Sequence, residues 1–218
     1  MKMDMGGAAA VLGAFEAAGR QGLHTDVCAI LCLAENAISH QALRNDDIIT
    51  LYSGKTVEIN NTDAEGRLVL GDGVAYATTH LRPNIVIDAA TLTGAQLVAT
   101  GKKHAGIVCN SEDVERRVVE MGRLSGDLVH PLPYCPEFFL NEFKSEVADL
   151  KNSVRDRGNA QSSCAGHFVE AHLSSSYTGT WLHIDLAGPA FGSDRGTGFG
   201  VGLLLGIAQL RAEGKLGC

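Results

Sequence analysis

Apolar residues fall into short runs whose spacing alternates between continuous and helical, with Gly, Pro and polar clusters between them. Residues 5–19, "MGGAAAVLGAFEAAG", are rich in alanine and predict a closely packed helix, with Gly22 as its stop. The continuous apolar run 26–34, "DVCAILCLA", predicts a buried strand, and the polar "ENAISHQALRNDD" a loop. In "TLYSGKTVEI" a Ser-Gly-Lys turn separates β-branched runs, which predicts a hairpin. Residues 63–79 return to helical spacing, with Leu68, Val69, Val74 and Ala77 able to share one face. "NIVIDAATLTGA" predicts a second buried strand ending in a Thr/Gly turn, and "HAGIVCNS" a third. "SEDVERRVVEMGRLSG" predicts a helix capped by Ser111, with acids in its first turn opposing the helix dipole. Residues 127–137 hold three prolines and predict a loop. "CAGHFVEAHL" follows as a helix, "WLHIDLAG" as a strand and "VGLLLGIAQLRAE" as a last helix. This alternation implies an α/β fold, a mixed, mostly parallel sheet with helices on both faces.

Composition narrows the classes. The 218 residues suffice for one large domain or two small ones. A net charge of −7 argues against nucleic-acid and anionic-membrane partners, since no basic surface would release their counterions. No apolar run approaches the roughly 18 residues that span a bilayer, and Asp4 interrupts what would be a signal-peptide core. Six cysteines are scattered along the chain. Cys28 and Cys32 lie in an apolar run and read as buried thiols in preference to a zinc knuckle, which points to a reducing compartment.

The densest charge beside apolar sequence is "EINNTDAEGRLVL", residues 58–70, with Asp63, Glu65 and Arg67 at every second position. A plain reading is a capping box, Thr62 as N-cap and Glu65 reaching back. That leaves Asn61, Asp63 and Arg67 unexplained. The other reading is a divalent metal site, since carboxylate oxygens are hard ligands for Mg²⁺ or Mn²⁺ and also serve Zn²⁺. Both can hold at once. Open α/β sheets bind ligands at the carboxyl ends of their strands, and two carboxylates there with a third from elsewhere could hold a pair of cations. Asp4 is that third candidate, although alone it reads as a helix cap; the small residues after it let backbone approach a crowded site. Arg67 cannot ligate a metal but can bind an anion such as bicarbonate or a developing oxyanion. His183 and Asp185 share a strand face as a possible ligand pair, with a structural hydrogen bond as the alternative. His167 and His172 do not have the spacing that stacks two helical side chains. No His-Glu-x-x-His, P-loop or Gly-x-Ser-x-Gly pattern occurs.

"NTDAEGRLVL" resembles the signature of the cytosolic leucyl aminopeptidases, the M17 two-metal peptidases, and "MDMGGAAAVLGAF", "DAATLTGA", "WLHIDLAGPA" and "TGFGVGLLL" resemble further parts of that family. The resemblance covers nearly the whole chain. It implies a zinc-peptidase-like catalytic domain and hydrolysis of the N-terminal bond of peptides by a two-metal-activated water. Asp4, Asp63 and Glu65 match metal ligands, for Mn²⁺ or Zn²⁺ with Mg²⁺ as a further suitable ion, and Arg67 matches the catalytic arginine that holds bicarbonate. Thr91, Leu92 and Gly94 match positions lining the pocket for the first residue, Met1 its floor, and Asn61 and Ala64 the leaving-group side. The family's lysine ligand, another aspartate ligand and the catalytic lysine belong upstream of the Asp4 motif, in a segment this chain lacks, and Lys2 has the wrong spacing to be that lysine. Residues 1–218 are therefore expected to be a partial C-terminal catalytic domain, incomplete at its N-terminus and without the family's N-terminal domain. The family implies a cytoplasmic homo-oligomer, hexameric when intact. An expectation of a different class is an inactive homologue acting in assembly or binding.

Overall fold

The computed structural model describes residues 2–216. Helix α1, Gly6–Arg20, is followed by an irregular segment and then the short hairpin β1, Ile48–Thr50, and β2, Thr56–Glu58. Its turn uses Gly54 at φ +84°, a conformation with no steric penalty only for glycine. Helix α2, Gly66–Tyr76, runs on through a π-helical turn, Ala77–Leu81, and stops where Arg82 turns left-handed. Strand β3, Ile85–Ala90, leads into the short helix α3, Gly94–Ala99, then β4, Ala105–Cys109, and α4, Glu112–Ser125. The Ser111 side chain accepts from the Val114 N–H, as expected, and Gly126 at φ +85° closes the other end. Next come β5, Val129–Pro131; α5, Pro136–Phe139; β6, Leu150–Lys151; α6, Gln161–Glu170; and β7, Thr180–Asp185. The two-residue strands β8, Phe191–Gly192, and β9, Arg195–Gly196, precede α7, Val201–Ala212.

The main sheet has the order β3-β7-β4-β5. β3 runs parallel to β7 and β4 parallel to β5, while β4 and β7 are antiparallel, so the sheet is mixed. Strand alternation sends neighbouring residues into different cores. Ile107, Cys109, Leu182 and Ile184 join Val118 of α4 and Leu203 and Ile207 of α7 on one face. Val108 and Trp181 join Val74 of α2 and Val169 of α6 on the other. A separate core of Leu51, Val57, Ile59, Phe143 and Phe168 anchors the hairpin sheet β1-β2-β6 beneath α2 and α6.

Three expectations are corrected. Residues 26–34 form no strand; Cys28 is exposed and Cys32 half-buried. A strand needs a ladder partner, and here the run has none among the described residues. It lies instead as one wall of a cavity of about 1890 Å³, facing α1, α2 and the edge of β3. Continuous apolarity reported contact with a wall, not backbone pairing. Residues 127–137 are not wholly loop, because β5 and α5 lie within them. Pro131 is tolerated because β5 is an edge strand. Thr62 does not cap α2: the helix starts at Gly66 with Glu65 at the N-cap and no side-chain capping bond.

Candidate metal and substrate site

The site lies where the carboxyl end of β3 meets the starts of α1 and α2. Asp4 precedes α1, and its Oδ1 accepts from Thr91 Oγ1 at 2.6 Å, tying the helix entrance to the residue that follows β3. The glycines behind Asp4 are required by this approach. A Cβ on Gly7 would lie 1.9 Å from the Ala89 carbonyl oxygen, and one on Gly6 3.0 Å from the Thr91 methyl. Asp63 and Glu65 come from the turn between β2 and α2, and both line the same cavity as Asp4 and Thr91.

That turn is held from a distance. Fully buried Asn152 accepts from the N–H groups of Asn60 and Asn61 at 3.0 and 3.2 Å. Its amide donates to the carbonyls of Asn61 at 2.6 Å and Ala64 at 3.2 Å. Asn61 in turn accepts from the Asp63 N–H at 3.0 Å, while Ala64 is buried beneath the turn. The loop 91–94 is clamped in a similar way by Asp185, at the end of β7. Its Oδ1 accepts from the N–H groups of Leu92, Thr93 and Ala187, and its Oδ2 from the Thr93 hydroxyl at 2.6 Å. Leu92 leans on the start of α2, its Cδ1 only 3.2 Å from where a Cβ on Gly66 would sit, and Gly94 opens α3 exposed.

The electrostatics match the crowding. Burial first, then the charges of Asp4 and Asp63, push the Glu65 carboxyl up, against its own backbone hydrogen bond and Arg67. Arg67 is only 8% exposed and stands over the Phe143 ring. Burial lowers its guanidinium to about 10, partly offset by Asp185 and Glu65 among others. Its Nε and Nη1 have no hydrogen-bond partner among the described residues, a costly state for buried donors.

The three carboxylates therefore line one crevice, in which Glu65 feels the charges of Asp4 and Asp63, and none is in a salt bridge among the described residues. Among those residues, however, no three His, Cys, Asp or Glu side chains gather into a group able to hold a metal ion. Carboxylate oxygens are hard donors of the kind a divalent cation takes. The unpartnered guanidinium nitrogens suit an anion. Met1 lies outside the described residues. His183 turns away from Asp185: its Nδ1 donates to Asp88, which also accepts from Trp181 Nε1 at 2.8 Å. His167 and His172 are buried apart from the crevice; the former bonds to Cys135 N–H and Ser163 O, the latter to Ser53. The clamping roles of Asn152, Thr93 and Asp185 had no sequence signal, since each acts across more than 85 residues.

Open α/β sheets bind their ligands outside the carboxyl ends of their strands, and this crevice lies beside the carboxyl end of β3. The family model described as "Cytosol aminopeptidase family, catalytic domain" matches residues 1–205, and the chain belongs to that family. It is 57% identical over 216 residues to the mouse (Mus musculus) protein named probable aminopeptidase NPEPL1, covering 99% of this chain and 41% of that one. Against leucine aminopeptidase 1 of Caenorhabditis elegans it is 47% identical over 204 residues, covering 93% and 42%. The apo structure of leucyl aminopeptidase from Trypanosoma cruzi superposes with a TM-score of 0.94 at 54% identity, covering 96% of this chain and 41% of that chain. The chain thus spans less than half the length of these relatives. Among the described residues no helix is long and apolar enough to cross a membrane.

Proposed function

We propose that this chain carries the acidic, arginine and pocket part of the active centre of a metal-dependent aminopeptidase, which hydrolyses the N-terminal peptide bond of peptides. Asp4, Asp63 and Glu65 would hold divalent cations, Mn²⁺ or Zn²⁺. Bound there, such cations would lower the pKa of water toward about 7 and polarise a carbonyl. Thr91 fixes Asp4 by a hydrogen bond and so sets where its free oxygen faces. Arg67 would hold bicarbonate through its unpartnered Nε and Nη1, placing a proton acceptor beside the reacting bond. The loop Thr91, Leu92 and Gly94 would receive the first side chain of the peptide, and Asn61 and Ala64 would face the leaving group.

The observation that carries this reading is that Asp4, Asp63 and Glu65, from two separate elements, line one cavity, where burial and then the charges of Asp4 and Asp63 raise the carboxyl of Glu65. A divalent cation would neutralise charge that no salt bridge among the described residues balances. The test is hydrolysis of a leucyl anilide by the chain with and without added Mn²⁺. Mn²⁺-dependent release that disappears in Glu65→Gln, at an unchanged melting temperature, supports the reading. Metal-independent release, or release that survives Glu65→Gln, contradicts it. Absence of both hydrolysis and Mn²⁺ binding would leave an assembly or binding role.

A further inference from the structure

Asp185 is fully buried and lies in no salt bridge among the described residues, yet it takes four hydrogen bonds. Three of those donors, Leu92 N–H, Thr93 N–H and Thr93 Oγ1, belong to the loop between β3 and α3. The Thr93 hydroxyl is a junction. It donates to Asp185 Oδ2 at 2.6 Å, lies 2.7 Å from Ser162 Oγ on α6, and accepts from the Gln96 N–H at 3.1 Å, which caps α3. The ends of two strands and the starts of two helices thus meet at one hydroxyl–carboxylate pair. The neighbours of Thr93 point outward from it: Thr91 to Asp4, and Leu92 to the start of α2. Four hydrogen bonds converging on one buried carboxyl group fix the direction of each donor. Such a clamp turns a short loop into a rigid wall, and a rigid wall is what discrimination between side chains of different size requires.

We infer that Asp185, acting through Thr93, is a positioning residue that sets selectivity for the first side chain of the peptide by holding the 91–94 loop. This rests on the aminopeptidase reading above. Asp185 touches no substrate in this scheme; its effect passes through the loop backbone.

The test compares the wild-type chain with Thr93→Val, Thr93→Ser and Asp185→Asn. The readouts are the ratio of kcat/KM for leucyl over alanyl anilide, hydrogen exchange at Leu92 and Thr93, and the melting temperature. Thr93→Val is expected to lower the selectivity ratio about tenfold, the weight of one buried hydrogen bond left unmade. Exchange at the two amides should accelerate by a similar factor. Thr93→Ser, which keeps the hydroxyl, should restore both. The Thr93→Val/Asp185→Asn double variant should be no less selective than the worse single variant, because both remove the same link. An unchanged ratio alongside a lower melting temperature would overturn the inference, since the clamp would then only stabilise. If the wild type cleaves neither anilide, the aminopeptidase reading fails separately. Exchange then decides the clamp: equal rates in wild type and Thr93→Val would overturn it.

Discussion

Arg67 shows most clearly how one residue departs from what stability alone would select. A buried guanidinium with two unpartnered nitrogens carries a desolvation penalty of about 1–3 kcal/mol. The contact with Phe143 offsets part of that. Arg67→Met should therefore leave the melting temperature of the metal-free chain equal or higher, while bicarbonate stabilises only the wild type. A large loss of stability in the variant would mean that the guanidinium is satisfied by the fold. His172 gives a pH prediction. Burial, followed by Lys55, lowers its imidazolium from 6.5 to about 4, so the folded state keeps the ring neutral where the unfolded chain takes up a proton. Stability should thus fall as the pH drops from about 6.5 to about 4, by a total on the order of 3 kcal/mol. Acid denaturation of His172→Gln should lack that limb. At this scale the sequence exposed the charges but not their holders. Asp63, Glu65 and Arg67 were visible as a dense cluster, whereas Asn152 is an unremarkable polar residue that grips the turn from 91 residues away.

Among the elements, α1 states the balance between propensity and packing. Its glycines weaken an isolated helix, and only one face explains them. Gly7→Ala would put a Cβ 1.9 Å from the Ala89 carbonyl oxygen, while nothing lies within 4 Å of a Cβ on Gly19. The first substitution should destabilise by about 1–3 kcal/mol and pull Asp4 away from Thr91; the second should stabilise by about 0.5–1 kcal/mol. Chemical denaturation of both variants checks the pair, and equal effects would show that α1 is not pressed on β3. Most elements were legible because local rules decide them. Ser111 starts α4 as its hydroxyl dictates, and alternation divides β7 between two cores. The failures were those where partners decide. Residues 26–34 have the apolarity of a strand without a ladder, and β5 became a strand because β4 offered it an edge.

For the whole molecule, the mixed sheet and its helical covers follow from the order of elements, and the site from where strand ends meet helix starts. What no local pattern could supply is the convergence itself, which depends on β3 and β7 lying side by side so that Asp185 reaches the 91–94 loop. The central claim is that Asp4, Asp63 and Glu65 balance their charge with divalent cations. Its most direct test is Mn²⁺ binding followed by electron paramagnetic resonance, comparing the wild-type chain with Asp63→Asn/Glu65→Gln at matched melting temperature. The account predicts bound Mn²⁺ in the wild type and at least a tenfold loss of affinity in the variant. Equal binding by the two proteins would contradict it.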